Sequence, residues 1–291
     1  MGKAPLAAIV TYCDKLLRTA EVKDYDRAAN GLQVENRGKV TKIAAAVDGS
    51  LATVRLAAEA NADLLIVHHG LFWGPSQPWT GKRYELLCVL LENDLAVYSS
   101  HLPLDLHPKL GNNALLCAAL GLRKLRPFLV SHGQTIGYWA ETKMTREELG
   151  SRLDRAVGLG AETNPKSEGR SPKEIRKEKS EETVLTKSQS IFPEPKSRVL
   201  MIGAGPAVCR RIGVVTGGAG SELEQAARAG LDTFITGEGP HWTYGLAEEL
   251  GLNVFYGGHY ATETFGVKAL AAHLSRRFKV PWIFLEHPSG L

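Results

Sequence analysis

The 291-residue sequence predicts an α/β protein made of two related αβ lobes, each with a mixed sheet flanked by helices, meeting at a cleft. Three observations predict it. Short, nearly continuous apolar runs alternate with helix-period segments, as expected for sheets covered on both faces. Two stretches repeat one another in the same order, and a charge-rich stretch separates the copies.

Taken in order, residues 5–19 place Leu6, Ile9, Val10, Cys13, Leu16 and Leu17 at helical spacing. Strand-like runs follow at 43–47, 63–67 and 95–99, with helical patterns over 51–61, 82–93 and 112–120. Beyond Arg126 come two shorter strand candidates, 127–130 and 135–140, and then a helix with Thr145 as its expected N-cap. Residues 1–140 make the first lobe in this reading, 141–197 a helix plus a charged insertion, and 198–291 the second lobe.

From Glu162 to Ser197 the chain holds eight Lys or Arg, seven Glu and one aromatic residue, Phe192. That is too little apolar surface for a core element, so a solvated insertion is expected, with room for a helix over 172–182. Strand–helix alternation resumes with strands at 199–202, 212–216, 232–236, 253–257 and 282–285.

The internal repeat ties the lobes together. Ile43 to Gly70 lies over Ile212 to Gly239 at a constant offset of 169, matching Gly49 with Gly218, Asp63 with Asp232 and Ile66 with Ile235. A second match, at an offset of 158, sets His101 on His259 and Asp105 on Glu263.

A net charge of +4 with interleaved signs forms no basic stripe, so neither nucleic acid nor a membrane surface is an expected partner. The longest apolar runs are far too short to span a bilayer, and the first ten residues do not read as a secretory signal. Cys13, Cys88, Cys117 and Cys209 lie far apart with no Cys-x-x-Cys pair, which suits packing in a reducing cytoplasm.

Chemistry-bearing residues appear where apolar strands end. Leu64-Leu65-Ile66-Val67 runs into His68-His69-Gly70, and Asn253-Val254-Phe255-Tyr256 runs into Gly257-Gly258-His259. Open α/β sheets bind ligands at the carboxyl ends of strands. Adjacent histidines fan to different sides of the turning chain, an arrangement better matched to two neighbouring metal ions than to one. His-x-x-x-acid occurs twice, as His101/Asp105 and His259/Glu263. If residue 259 opens a helix, His259 and Glu263 share a face one turn apart. Pro103 interrupts that geometry in the first copy, so Asp105 is expected to reach in from a loop. Imidazole with carboxylate and no thiolate suits two divalent ions among Zn, Mn, Fe or Co.

A lone histidine such as His132, His241, His273 or His287 is more often a cap, core or surface residue, but a set at four strand ends is not explained that way. His101 is the candidate proton carrier. Glu238, which overlies His69, is a candidate to stand behind a ligand or to face a substrate. Ile202-Gly203-Ala204-Gly205-Pro206-Ala207-Val208 is a weak dinucleotide fingerprint, because the next strand starts too soon for a phosphate-binding helix. Trp73 and Trp79, just after the double histidine, suit ring stacking or packing.

The strings Ile66-Val67-His68-His69-Gly70-Leu71-Phe72-Trp73, Ser100-His101-Leu102-Pro103-Leu104-Asp105 with Gly111-Asn112-Asn113, and Gly258-His259-Tyr260-Ala261-Thr262-Glu263 resemble the Nif-three-like dinuclear metal-centre family. Its members are often labelled GTP cyclohydrolase I type 2 homologues. The resemblance covers roughly residues 5–125 and 198–291, and 162–197 departs from the compact form. It implies His68, His69, Asp105, His259 and Glu263 as metal ligands, a two-lobed αβ fold with the metals in the cleft, and a ring-shaped homohexamer.

The reaction implied is GTP cyclohydrolysis: attack of an activated water on guanine C8 and release of formate, with His101 moving protons and Glu238 orienting the substrate. No triphosphate cradle is evident, since Lys82, Arg83, Lys109 and Arg123 are scattered. A small-molecule substrate is therefore expected, with a nucleotide as the named case. A non-catalytic metal-binding or regulatory protein and a two-metal phosphoesterase use the same ligands.

Overall fold

The computed structural model of the chain describes residues 2–26, 28–73, 77–158 and 199–290. In order come β1 (Ala4–Pro5), α1 (Leu6–Leu17), β2 (Gly31–Val34), β3 (Lys39–Val40), β4 (Ile43–Asp48), α2 (Leu51–Glu59), β5 (Leu64–His69) and α3 (Lys82–Glu92). Then follow β6 (Ala96–Ser99), α4 (Leu102–Asp105), α5 (Asn112–Ala119), β7 (Arg126–Ser131), β8 (Gln134–Thr145) and α6 (Arg146–Val157). The remainder is β9 (Leu200–Gly203), β10 (Val208–Val214), α7 (Leu223–Arg228), β11 (Thr233–Thr236), α8 (Thr243–Leu250), β12 (Asn253–Tyr256), α9 (His259–Phe278) and β13 (Trp282–Phe284). The insertion expected over 162–197, with its helix over 172–182, lies outside the described residues.

Two mixed sheets carry the fold, ordered β13-β4-β5-β6-β2 and β7-β8-β10-β11-β12-β9. Strands β4, β5, β6 and β13 are parallel with β2 antiparallel. In the second sheet β10, β11 and β12 are parallel, flanked by antiparallel β8 and β9. Strand pairing crosses the chain order: β7 and β8 join the second sheet, and β13, from the C-terminus, closes an edge of the first.

Period-two alternation of buried residues explains why helices cover both faces. In the first sheet Ile43, Ala45, Leu64, Ile66 and Tyr98 face α1 and α9, while Ala44, Ala46, Leu65, Val67 and Val97 face α2 and α3. In the second, Ile212, Val214, Ile235 and Phe255 meet α5 and α6, and Phe234, Val254 and Val215 meet α7 and α8. Helices α5 and α9 pack on each other between the sheets. Each fully buried Leu, Ile or Phe contributes roughly 1.5–3 kcal/mol.

Local signals act as expected at the helix starts. Ser50 and Thr53 form a capping box on α2, and Thr145 caps α6 by accepting from Glu148 N. Residues 204–207 make a short connection from β9 to β10 without a helix, so no dinucleotide turn forms there.

The repeat extends to backbone register. Ile43 pairs with Leu64 as Ile212 pairs with Thr233, each at the offset of 169. Asp63 accepts from the amides of Thr41 and Lys42, and Asp232 accepts from those of Arg210 and Arg211, at the same offset. The third strand slips by one. Leu64 pairs with Ala96 and Thr233 with Asn253, so Ala96 falls on Asn253 rather than on Val254. By pairing, His101 therefore stands where Gly258 does, and both are N-cap residues of the helix that follows.

Candidate metal centre

The carboxyl ends of β5 and β6 and the start of α9 converge on one cleft. His68 and His69 end β5, with ring centroids 4.8 Å apart and both Nε2 atoms turned toward Glu263. Gly258, at φ 88°, turns the chain so that His259 is the first residue of α9. His259 and Glu263 then lie one turn apart, as the spacing requires. Asp105 does not reach in from a loop: it closes the single-turn helix α4, in which Pro103 sits within the first turn and needs no amide donor.

Four imidazoles are held by the same device. Nδ1 lies 2.9 Å from Ser100 O for His68, 2.8 Å from Asp48 Oδ1 for His69, 2.9 Å from Asp24 Oδ1 for His101 and 2.8 Å from Glu238 Oε1 for His259. A carbonyl or carboxylate can only accept, so each Nδ1 carries the proton. With Nδ1 committed in this way, each ring turns its Nε2 inward, the orientation that oxygen partners impose on metal-ligating histidines.

Glu263 stands between two groups. Its Oε1 is 3.5 Å from His68 Nε2, which is also 3.4 Å from Asp105 Oδ2. Its Oε2 is 3.3 Å from His69 Nε2 and 3.2 Å from His259 Nε2. Ligand bonds of about 2.0–2.2 Å give tetrahedral edges of roughly 3.3–3.5 Å, so these spacings match donor atoms around a cation. Among the described residues two sets place their donor atoms within 4.8 Å of one another: His68, His69 and His101, and His69, His259 and Glu263.

The buried atoms of the donor set also suit a positive partner. Among the described residues His68 Nε2 and Glu263 Oε2 are buried without a well-formed hydrogen bond, a costly state for polar atoms. Burial alone would lower the pKa of His68, yet the Asp105 and Glu263 carboxylates raise it well above the ordinary range. His259 behaves alike: burial lowers it, but Glu263 and Glu238 lift it to about 9. For Glu263 burial pulls upward and is outweighed by His68, His259 and His69, which hold the carboxyl far below its usual range. Without metal, protons fill the place of a cation. The residues fit one or two borderline divalent ions.

A cavity of about 320 Å³ opens beside this group. Tyr25 and Trp73 line one side, Leu129 and Ile136 of the β7–β8 hairpin another, and Glu222 and Gln225 a third. The hairpin reaches the first half of the chain, where Gln134 Nε2 donates to Lys23 O and the His132 and Tyr25 rings meet edge-on at 4.6 Å. None of the described lining residues is Lys or Arg.

All seven residues singled out from the sequence gather here. His68, His69, Asp105, His259 and Glu263 face one another, His101 adjoins them, and Glu238 stands behind His259. Asp24 and Asp48 were missed, and Asn112 entered only within the Gly111-Asn112-Asn113 string, without a role. Asp48 was findable, as the polar residue ending β4 beside the end of β5, whereas Asp24 lies in a connection with no periodicity or repeat to mark it.

A family model described as Duf34/NIF3 (NGG1p interacting factor 3) matches residues 5–289. A "GTP cyclohydrolase 1 type 2 homolog" of Deinococcus radiodurans is 38% identical over 266 residues, covering 91% of this chain and 88% of that protein. One of Pyrococcus horikoshii, with the same name, is 37% identical over 285 residues, covering 97% and 98%. Among solved structures, TTHA1606 from Thermus thermophilus superposes with a TM-score of 0.80 at 34% identity, covering 99% of this chain and all of that one, 100%.

Proposed function

The chain belongs to the Duf34/NIF3 family, and on that premise we propose that it is a dinuclear divalent-metal-dependent hydrolase, with GTP cyclohydrolysis as its candidate reaction. The observation that carries this reading is Glu263, whose two buried oxygens face two separate histidine groups. His68, Asp105 and Glu263 would hold one ion, and His69, His259 and Glu263 would hold the other. Zn, Mn, Fe and Co all suit these donors.

Divalent ions held there supply Lewis acidity, which lowers the pKa of a water and polarises an electrophile. The chain's own residues do the rest. Asp24 fixes the His101 ring, so that His101 Nε2 exchanges a proton with substrate while Nδ1 stays committed. Glu238 fixes His259 in the same way, and it acts behind a ligand rather than on substrate. Tyr25, Trp73 and the hairpin seat a flat ring and exclude water from it. The names of the relatives support GTP as the first substrate to try. The assembly that accompanies this reading is a homohexamer, checked by light scattering after gel filtration.

A second reading, a metal-binding or regulatory protein without turnover, draws on one observation: the described lining of the cavity offers no cation for a triphosphate. The metal-loaded protein is incubated with GTP and with a panel of phosphate esters, beside an Asp105→Ala, Glu263→Ala variant, and products are followed by mass. Formate and dihydroneopterin triphosphate from the wild type alone uphold the hydrolase. Inorganic phosphate from the esters transfers the site to phosphoester cleavage, and tight metal binding without any turnover favours the second reading.

A further inference from the structure

The Gly111-Asn112-Asn113 string is not needed as a ligand source, yet both asparagines are buried at the first turn of α5, Asn112 completely. A buried amide keeps its place only if its polar atoms are paired. Asn112 Oδ1 accepts from Gly266 N in α9 at 2.6 Å, and its Nδ2 donates to Asp105 Oδ1 at 2.7 Å. The backbone N–H of Gly266 can only donate, so it settles which end of the amide is oxygen. The NH2 group must then point at Asp105.

We propose that Asn112 is a positioning residue for the metal centre, selective for the ion held through Asp105. By occupying Oδ1 it makes Asp105 a one-oxygen ligand and leaves Oδ2, 3.4 Å from His68 Nε2, to face the ion. Through Gly266 it ties that orientation to α9, the helix that brings Glu263 and His259. A side chain on Gly266 would press on Asn112 Oδ1 and Leu104, so the close approach of α9 to α4 and α5 is part of the device. This inference rests on the dinuclear reading above. Oxygen and nitrogen partners behind metal ligands are worth about 10–100-fold in metal affinity when removed.

The test is a cobalt(II) titration of the metal-free full chain, followed by calorimetry and by the visible ligand-field bands. Asn112→Asp keeps the acceptor for Gly266 N and replaces the donor that Asp105 needs by a carboxylate oxygen, while Asn112→Leu removes the donor without adding charge. One cobalt equivalent is expected to weaken about 10–100-fold in Asn112→Asp and in Asn112→Leu, with its band altered, while the other stays within about threefold. Asn112→Ala, which removes both arms, gives the same selective loss and serves if Asn112→Asp folds poorly.

Two equivalents that keep their affinities, or two that weaken alike as a loosened scaffold would make them, overturn the proposal. Wild-type protein taking up fewer than two equivalents overturns the dinuclear reading instead. The role of Asn112 is then decided on the single equivalent, upheld by a tenfold or greater loss with unchanged circular dichroism and overturned by its retention.

Discussion

Glu238 Oε1 lies 2.8 Å from His259 Nδ1, and this contact decides which nitrogen of the His259 ring faces Glu263. Glu238 occupies the position that His69 holds in the first copy of the repeat. A position that supplies a candidate ligand in one half supplies the support for a ligand in the other.

Replacing Glu238 by Ala frees the His259 ring to turn. Metal affinity is expected to fall about 10–100-fold. Thermal stability of the metal-free protein should change little, because the Glu238 side chain is 43% exposed and an exposed pair contributes about 0–1 kcal/mol. Chelator competition measures the first quantity and a melting curve the second.

The metal-free protein should lose stability as pH rises. His259 is lifted from 6.5 to about 9, burial opposing and Glu263 and Glu238 prevailing. A raised folded-state pKa gives stability that is complete below about pH 6.5 and lost as pH climbs through about 9. The loss expected from His259 is on the order of 3 kcal/mol. Urea denaturation at pH 6, 8 and 9.5 reads it, and His259→Gln should flatten the profile. Zinc affinity runs the other way over the same window, since metal must displace the protons on His259 and His68.

Metal should raise the melting temperature, and chelation should lower it. Ligand at a hundred times its dissociation constant adds about 2.7 kcal/mol per site. Glu263→Ala should abolish the rise, because both histidine groups then lose their shared carboxylate. Differential scanning calorimetry with and without a chelator checks this directly, and an unchanged rise in Glu263→Ala would remove Glu263 from the centre.

Gly217 should not tolerate a side chain. Its φ is +73°, and a Cβ there would collide with Glu263 Oε1. Gly217→Ala is expected to cost about 1 kcal/mol or more in backbone strain. It should also displace Glu263 and weaken metal binding, read by urea denaturation and by metal analysis.

Phe255, fully buried where β12 meets α5 and α6, tests the core away from the centre. Phe255→Ala should cost about 3–5 kcal/mol. The cost should appear in the urea midpoint of both metal-free and metal-loaded protein.

Much of the centre was legible because three of its strings follow strong strand signals. The repeat has a structural counterpart in Asp63 and Asp232: Asp63 holds the two amides just before β4, and Asp232 holds two amides within β10. Other features left no local trace. The one-residue slip in the third strand depends on pairing across the sheet, so His101 and His259 matched in sequence without being equivalent in backbone. Asp24 is set by a tertiary contact 77 residues away from His101. Pro103 was misleading, since a proline that breaks a helix interior is harmless in a first turn. The return of β13 to the first sheet is invisible to periodicity, which reports that a strand exists and not its neighbour.

That return has a consequence for how the molecule can be divided. A cut between residues 158 and 199 leaves an N-terminal fragment owning β7 and β8 of the second sheet, and a C-terminal fragment owning α9 and β13 that complete the first. Neither fragment holds all the strands of its own sheet or a full covering for its apolar face. The two should fold only in each other's company, as complementing fragments. Halves from diverged relatives should not be interchangeable, because each must supply strands or a covering helix to the other's sheet.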